Sequence, residues 1–467
     1  HDLSKQGEGV GRTASGITVF VPYTAPGDRV RVEVLSVAKR FWRGQVKEWL
    51  VRSTQRQEPQ CAWFGRCGGC DWQHLTYAAQ SEAKRRIVQQ SLRRLGQIQE
   101  MPEVQFHTTS EPWHTRDRVR WHVNKRAELG FFARKSQELL PIERCPVLST
   151  ALVSLLQVLQ RRLPHLLLPV CTCSAVVVEG KILMALDLSA STVPNAQSKH
   201  DWGATFADWF QMLQEEMPNV VGGGLWCAQE HVYTYGCAFL SAEGGVRVRA
   251  EGFAQAGFQQ NRLLREVLCT LWEQLPQPPS NLVEIYAGAG NLSSLFLDRV
   301  SRFLGLEFEG QAWMDAQALL VQESSEASMQ EPSEASMHAS SEASAVDMEE
   351  DSTHGGRRLG AKQFCAFDDR KDALCALLEQ HGWSEVDVIL LDPPRRGLHS
   401  KLRTTLAKVK PRAIMYVSCD SATLARDLSE FLPVGYRIKA LHGLDMMPQT
   451  AHVEVVVLLL RVDSGVV

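Results

Sequence analysis

The sequence predicts an α/β protein: a C-terminal parallel sheet wound with helices, preceded by a small N-terminal β barrel and a mixed α/β central region. Three observations predict it. From about residue 253, short apolar runs end in turns and alternate with helical stretches, as in "NLVEIYAGAGNLSSLFL", "FLGLEFE", "VDVILLDPPRRG" and "RAIMYVSCD". The first 55 residues instead alternate apolar and polar positions between Pro and Gly turns, as in "GITVFVPYTAPGDRVRVEVLSV". Between these parts, Cys61, Cys67 and Cys70 crowd into "CAWFGRCGGC", a cluster that needs its own explanation.

Composition sets the limits. A chain of 467 residues with 44% hydrophobic content is long enough for two or three domains, each with a core. The most apolar stretch, "LVSLLQVLQRRLPHLLLPV", is broken by two arginines and a proline and reads as a core helix, so no membrane span is expected. The chain opens at His1 without a signal-peptide pattern, and the initiator methionine and a few more residues are expected to precede it. A reducing, cytoplasmic setting is the expectation, where clustered cysteines bind metal more often than they form disulfides. The net charge of −3 conceals an asymmetry. Residues 1–145 hold 24 Lys+Arg against 15 Asp+Glu, and residues 146–467 hold 26 against 38. A basic front half suggests a polyanionic partner.

Element by element, residues 1–55 form the barrel, and "KRFWRGQVKEWL" adds the basic and aromatic residues that suit nucleic-acid binding. The central region, 56–252, carries the cysteine cluster. It continues with a helix "SEAKRRIVQQSLRRLG" capped by Ser81 and stopped by Gly96, a hairpin over 118–142, and helices near 150–163 and 204–216. The wound sheet occupies 253–467. Within it, 321–354 is a low-complexity acidic insertion with nine acids and no Lys or Arg, read as a disordered surface loop between a helix and the next strand.

The chemistry sits at strand ends. In "VEIYAGAGN" Gly288 and Gly290 let the backbone approach a ligand at the carboxyl edge of the sheet, and Glu307 follows at the end of the next strand, where a carboxylate can hold ribose hydroxyls. Dinucleotide and S-adenosylmethionine sites share this look, and the missing third glycine favours S-adenosylmethionine. "LLDPPRRG" stiffens Asp392 with two prolines. Cys419 ends another strand and precedes a helix, which should lower its pKa. Glu454 opens the last strand as a candidate general base.

Taken in order, "GEGVGR", "CAWFGRCGGCDWQH", Cys145 in "IERCPVL", "GFQQN", "IYAGAGN", "DPPRRG", "YVSCDSATLARDL" and "HVE" resemble the RNA uracil-C5 methyltransferase family, in its branch with a TRAM domain and an iron–sulfur cluster. The resemblance covers nearly the whole chain outside 321–354. It implies a Rossmann-like S-adenosylmethionine methyltransferase domain and an OB-like TRAM barrel. It also implies a [4Fe–4S] cluster on Cys61, Cys67, Cys70 and Cys145, for which zinc on the same thiolates is the physical alternative. It assigns Cys419 as nucleophile and Glu454 as base, with Gln259, Tyr286, Asn291, Glu307, Asp368 and Asp392 at the S-adenosylmethionine site. The implied partner is RNA, with 23S rRNA favoured over the tRNA T-loop; no obligate protein partner is implied.

The chain departs from the family pattern at Asp420-Ser421, where Asn-Pro is usual, and Asp420 is expected to raise the thiol's pKa. Two rival readings stay open. One is an amino-group methyltransferase, which would leave Cys419 idle. The other is an RNA-binding protein with a decayed site.

Overall fold

The computed structural model describes residues 1–189, 196–329, 362–371 and 373–462. The acidic insertion falls largely outside the described residues. Its beginning continues the helix Gln311–Met329, and the next described element is the strand Lys362–Ala366.

The C-terminal sheet has eight strands. Lys362–Ala366, Arg302–Glu307, Asn281–Ile285, Val388–Leu391 and Ala413–Ser418 lie side by side and parallel. Glu454–Arg461 then runs antiparallel between Ala413–Ser418 and Tyr436–Leu444. Chain order reverses at Asn281–Ile285, so the carboxyl ends of that strand and its neighbours open one crevice. The last strand reads as a continuous apolar run because both its faces are covered. Val455, Val457 and Leu459 pack into one core layer with the helices Ser400–Val409 and Ser421–Phe431, while Val456, Leu458 and Leu460 pack into the other with the helix Phe258–Trp272.

The N-terminal part is a five-stranded sheet with Asp2–Leu3 and Arg29–Val37 at its edges. The central part is a seven-stranded, mostly antiparallel sheet, with the helices Thr150–Arg162 and Ala196–Glu216 packed on it. The second helix begins well before residue 204. The expected hairpin over 118–142 is a meander of three strands, Arg118–Val123, Leu129–Phe132 and Leu139–Pro141.

The helix after the cysteines also differs from its expectation. It spans Tyr77–Arg94, one turn earlier, because the Thr76 side chain accepts from the Ala79 N–H at 3.3 Å. Ser81 lies inside it and donates to the Tyr77 carbonyl. This helix and the strand Gln105–His107, grouped with the central region by sequence position, pack on the C-terminal sheet. Val88, Leu92, Ile98 and Val104 share its core, and Gln105–His107 is its eighth strand. Two fully buried polar side chains of the helix reach the segment before Glu454. Lys84 Nζ lies 2.5 Å from Asp445, and Gln80 exchanges hydrogen bonds with Gln449, donating to its side-chain oxygen and accepting from its backbone N–H, both at 3.0 Å.

Removing one charge of that pair leaves the other buried and alone. Lys84→Met should therefore lower stability by about 3–5 kcal/mol, and Lys84→Met with Asp445→Asn should recover most of it. Denaturant unfolding of both variants checks this.

Candidate active site

One cavity of about 1200 Å³ lies at the strand ends and is lined by Tyr286, Gly288, Asn291, Glu307, Asp392, Cys419 and Glu454 among others. The turn after Asn281–Ile285 shapes one wall. Tyr286 and Gly288 hold positive φ, 67° and 58°, and a Cβ on Gly288 would meet nothing within 4 Å. At Gly290 the φ of 85° favours glycine, and an added Cβ would press on the Leu319 side chain. Glu307 accepts from the Gly288 N–H at 2.7 Å and from the Phe308 N–H at 2.9 Å, which closes the turn onto the neighbouring strand. Asn291 and Asn261 pair their side-chain amides reciprocally at 2.9 Å. The Tyr286 hydroxyl donates to Asp369 at 2.7 Å.

The nucleophile candidate and the base candidate face each other across a ladder. Ser418 pairs with Val455 in antiparallel register, so the preceding position on one strand, Glu454, stands opposite the following position on the other, Cys419. Glu454 is buried, and its Oε1 has no hydrogen-bond partner among the described residues.

Known proteins resemble this chain over nearly its whole length. A TRAM-domain profile matches residues 1–47, and a tRNA (uracil-5-)-methyltransferase profile matches residues 376–462. The 23S rRNA (uracil(1939)-C(5))-methyltransferase RlmD of Chromohalobacter salexigens is 30% identical over 98% of this chain and 88% of its own length. The chain belongs to the RNA uracil-C5 methyltransferase family. RlmD of Shewanella denitrificans is likewise 30% identical, over 95% of this chain and 91% of its own length. The fold matches the crystal structure of the Pyrococcus abyssi tRNA (uracil-54, C5)-methyltransferase in complex with S-adenosyl-L-homocysteine. The TM-score is 0.65, with 20% identity, over 97% of this chain and all of that one.

The electrostatics of the methyltransferase cleft are set by desolvated carboxylates. Burial pushes Glu284 up to about 8, and burial together with Glu307 pushes Asp392 up to about 7. Glu307 is raised by burial, and Glu454 is raised well above the usual carboxylate range by burial and by Asp392. Cys419 is pushed up to about 12, first by burial, then by Glu454 and Asp392, with Arg395 opposing and Asp420 adding least. The expectation that the following helix would lower this thiol is thus reversed, because burial and acidic neighbours outweigh the helix end. On the cleft's other surfaces stand Arg116, Arg118, Arg120, Arg247, Arg262 and Arg395.

Not every expected residue arrives. Gln259 is exposed on the first turn of its helix and is not among the cleft-lining residues, whereas Asn261 is. Asp368 lines the cleft, with Arg370 Nε 3.1 Å from its carboxylate. Glu284 and Asp369 were missed. The signal for Glu284 was a lone acid inside the apolar run "NLVEI"; nothing local marks Asp369.

The four expected metal ligands face a second cavity. Cys61, Cys67, Cys70 and Cys145 line a space of about 520 Å³ with Phe64, Phe132 and Arg116. The meander brings Cys145 in: Gly68 N–H donates to the Phe132 carbonyl and Arg134 N–H to the Arg66 carbonyl. Among the described residues, no group of three or more His, Cys, Asp or Glu is placed to hold a metal ion. No helix among them is long and apolar enough to cross a membrane.

Because Cys419 is held up near 12, its alkylation by iodoacetamide should accelerate about tenfold per pH unit from pH 7 to 9. Asp392→Asn removes a charge that opposes ionisation, so it should speed the reaction about three- to tenfold at pH 8. Rates read by mass spectrometry of the Cys419 peptide decide both.

Proposed function

We propose that this RNA uracil-C5 methyltransferase acts on an unpaired uridine of 23S rRNA with S-adenosylmethionine as methyl donor, through a covalent bond from Cys419 to C6. The observation that carries this reading is the cross-strand juxtaposition of Cys419 and Glu454 in a carboxylate-lined cleft. The two 30%-identical relatives named for 23S rRNA, which align over nearly the whole chain, support the choice of RNA.

The cleft suits a ligand with sulfonium and ammonium charge, since among the described residues Glu284, Glu307 and Asp392 have no ion-pair partner and their ionised forms would gain from a cation. Tyr286, Gly288, Gly290, Asn291, Glu307 and Asp392 would hold S-adenosylmethionine, with Asp368 at the margin and Asn261 where Gln259 does not reach. Bound there, it would supply an electrophilic methyl group. The arginines around the cleft suit the phosphates beside a flipped-out base.

The residues' roles follow from uracil, whose C5 is a poor nucleophile. The Cys419 thiolate adds to C6, and the electron pair of the C5–C6 double bond moves onto C5 and the ring carbonyl. C5 then takes the methyl group. Glu454 removes the C5 proton, the double bond reforms, and the C6–sulfur bond breaks to release the thiolate. A carboxylate with a raised pKa is the stronger base for that step.

Cys419→Ala should form neither the covalent RNA complex nor product. Glu454→Gln should accumulate a methylated RNA–protein adduct, shifted on a denaturing gel and labelled from the methyl donor. Normal turnover by Cys419→Ala would instead point to methylation of an exocyclic amine.

We also assign a [4Fe–4S] cluster to Cys61, Cys67, Cys70 and Cys145. A single tetrahedral ion with bonds of about 2.3 Å needs its sulfurs within about 4 Å of one another. A four-iron cluster spreads its ligands wider, and an all-thiolate donor set in a roomy cavity suits it. Protein purified without oxygen should carry about four irons per chain, and Cys145→Ser should lose them. Stoichiometric zinc without iron would refute the assignment.

A further inference from the structure

Lys5 of the N-terminal sheet meets Asp420, the residue after the nucleophile, across 415 positions of sequence. Its Nζ lies 2.6 and 2.8 Å from the two carboxylate oxygens. The turn that carries Lys5 is anchored on both sides. The Gly7 N–H donates to the Ser4 carbonyl at 2.8 Å, the Trp72 indole N–H donates to the Gly7 carbonyl at 3.0 Å, and Leu3 is buried with Trp72, Leu75 and Ala451. Asp420 meanwhile caps the helix Ser421–Phe431, accepting from the Ala422 and Thr423 N–H groups at 3.0 and 3.1 Å.

The cap does not need the charge, since asparagine caps as well as aspartate. The charge has a consequence for Cys419, which already faces Glu454 from the last strand and Asp392 from the loop after Val388–Leu391, with Arg395 opposing them. An ammonium held at hydrogen-bond distance offsets part of the field of that carboxylate at the thiol.

We propose that Lys5 is a positioning residue for the methylation reaction: its ion pair with Asp420 neutralises the carboxylate next to Cys419 and makes thiolate formation depend on the N-terminal sheet being docked against the catalytic helix. The proposal rests on Cys419 being the nucleophile. Lys5 is two-fifths exposed and Asp420 is not, so the effect is modest and sensitive to salt.

Alkylation of Cys419 in the full chain, followed by mass spectrometry of its peptide, reads the thiolate without RNA or methyl donor. Lys5→Met should slow it about two- to threefold at pH 8 and move its pH profile upward by roughly a few tenths of a unit. Lys5→Arg should keep the wild-type rate. Asp420→Asn, which retains the cap, should restore that rate in the Lys5→Met background. An unchanged rate in Lys5→Met overturns the proposal, and so does a loss that Asp420→Asn fails to rescue, because that loss would be structural. Full methylation by Cys419→Ala would overturn the nucleophile assignment itself, whatever the alkylation rates.

Discussion

The buried polar contact between the helix Tyr77–Arg94 and the segment from Asp445 to Val453 is the constraint on which the rest of the molecule depends. That segment links the strand Tyr436–Leu444 to Glu454 and turns at Gln449 with a φ of 69°. Lys84 pairs with Asp445 and Gln80 with Gln449 from inside the protein. The Asp71 and Trp72 N–H groups, immediately after Cys70, donate to the Gln449 carbonyl at 3.0 Å. The cysteine loop, the N-terminal turn held by Trp72 and the entrance to Glu454 thus meet at one place. A buried ion pair is a poor source of stability compared with apolar packing. It does select one geometry, because any other leaves two charges without partners.

The cleft separates charge by position. Carboxylates gather at the strand ends, and arginines stand on the facing surfaces contributed by the central region and the loops. The net charge difference between the front and back of the chain reflects this arrangement only coarsely. Arg116 shows the coupling most directly. It lines both the cleft and the cysteine cavity and donates to the Gly69 carbonyl at 3.1 Å. One arginine side chain therefore joins the wall of the cysteine cavity to the wall of the cleft.

Much of the site was legible because its signals are local. Gly288 and Gly290 hold positive φ, which glycine adopts most readily, and Asp392, Cys419 and Glu454 each follow or open an apolar run that reads as a buried strand. The helix start at Thr76 was not legible, since both Thr76 and Ser81 are competent caps and packing against the sheet chose between them. Gln259 and Asn261 share a helical turn in the sequence, and only the angle at which that helix meets the crevice decides that Asn261 reaches it.

The wound parallel sheet, the strand-end motifs and the candidate site residues could be read from the chain alone, because hydrophobic period and turn residues act over a few positions. Tertiary structure decided what those residues experience. The sign of the shift at Cys419 comes from burial beside Glu454 and Asp392, and the charge at Asp420 is answered by Lys5 from the far end of the chain. Electrostatic energy depends on distance and on exclusion of water, and neither is written in the spacing of residues along a chain.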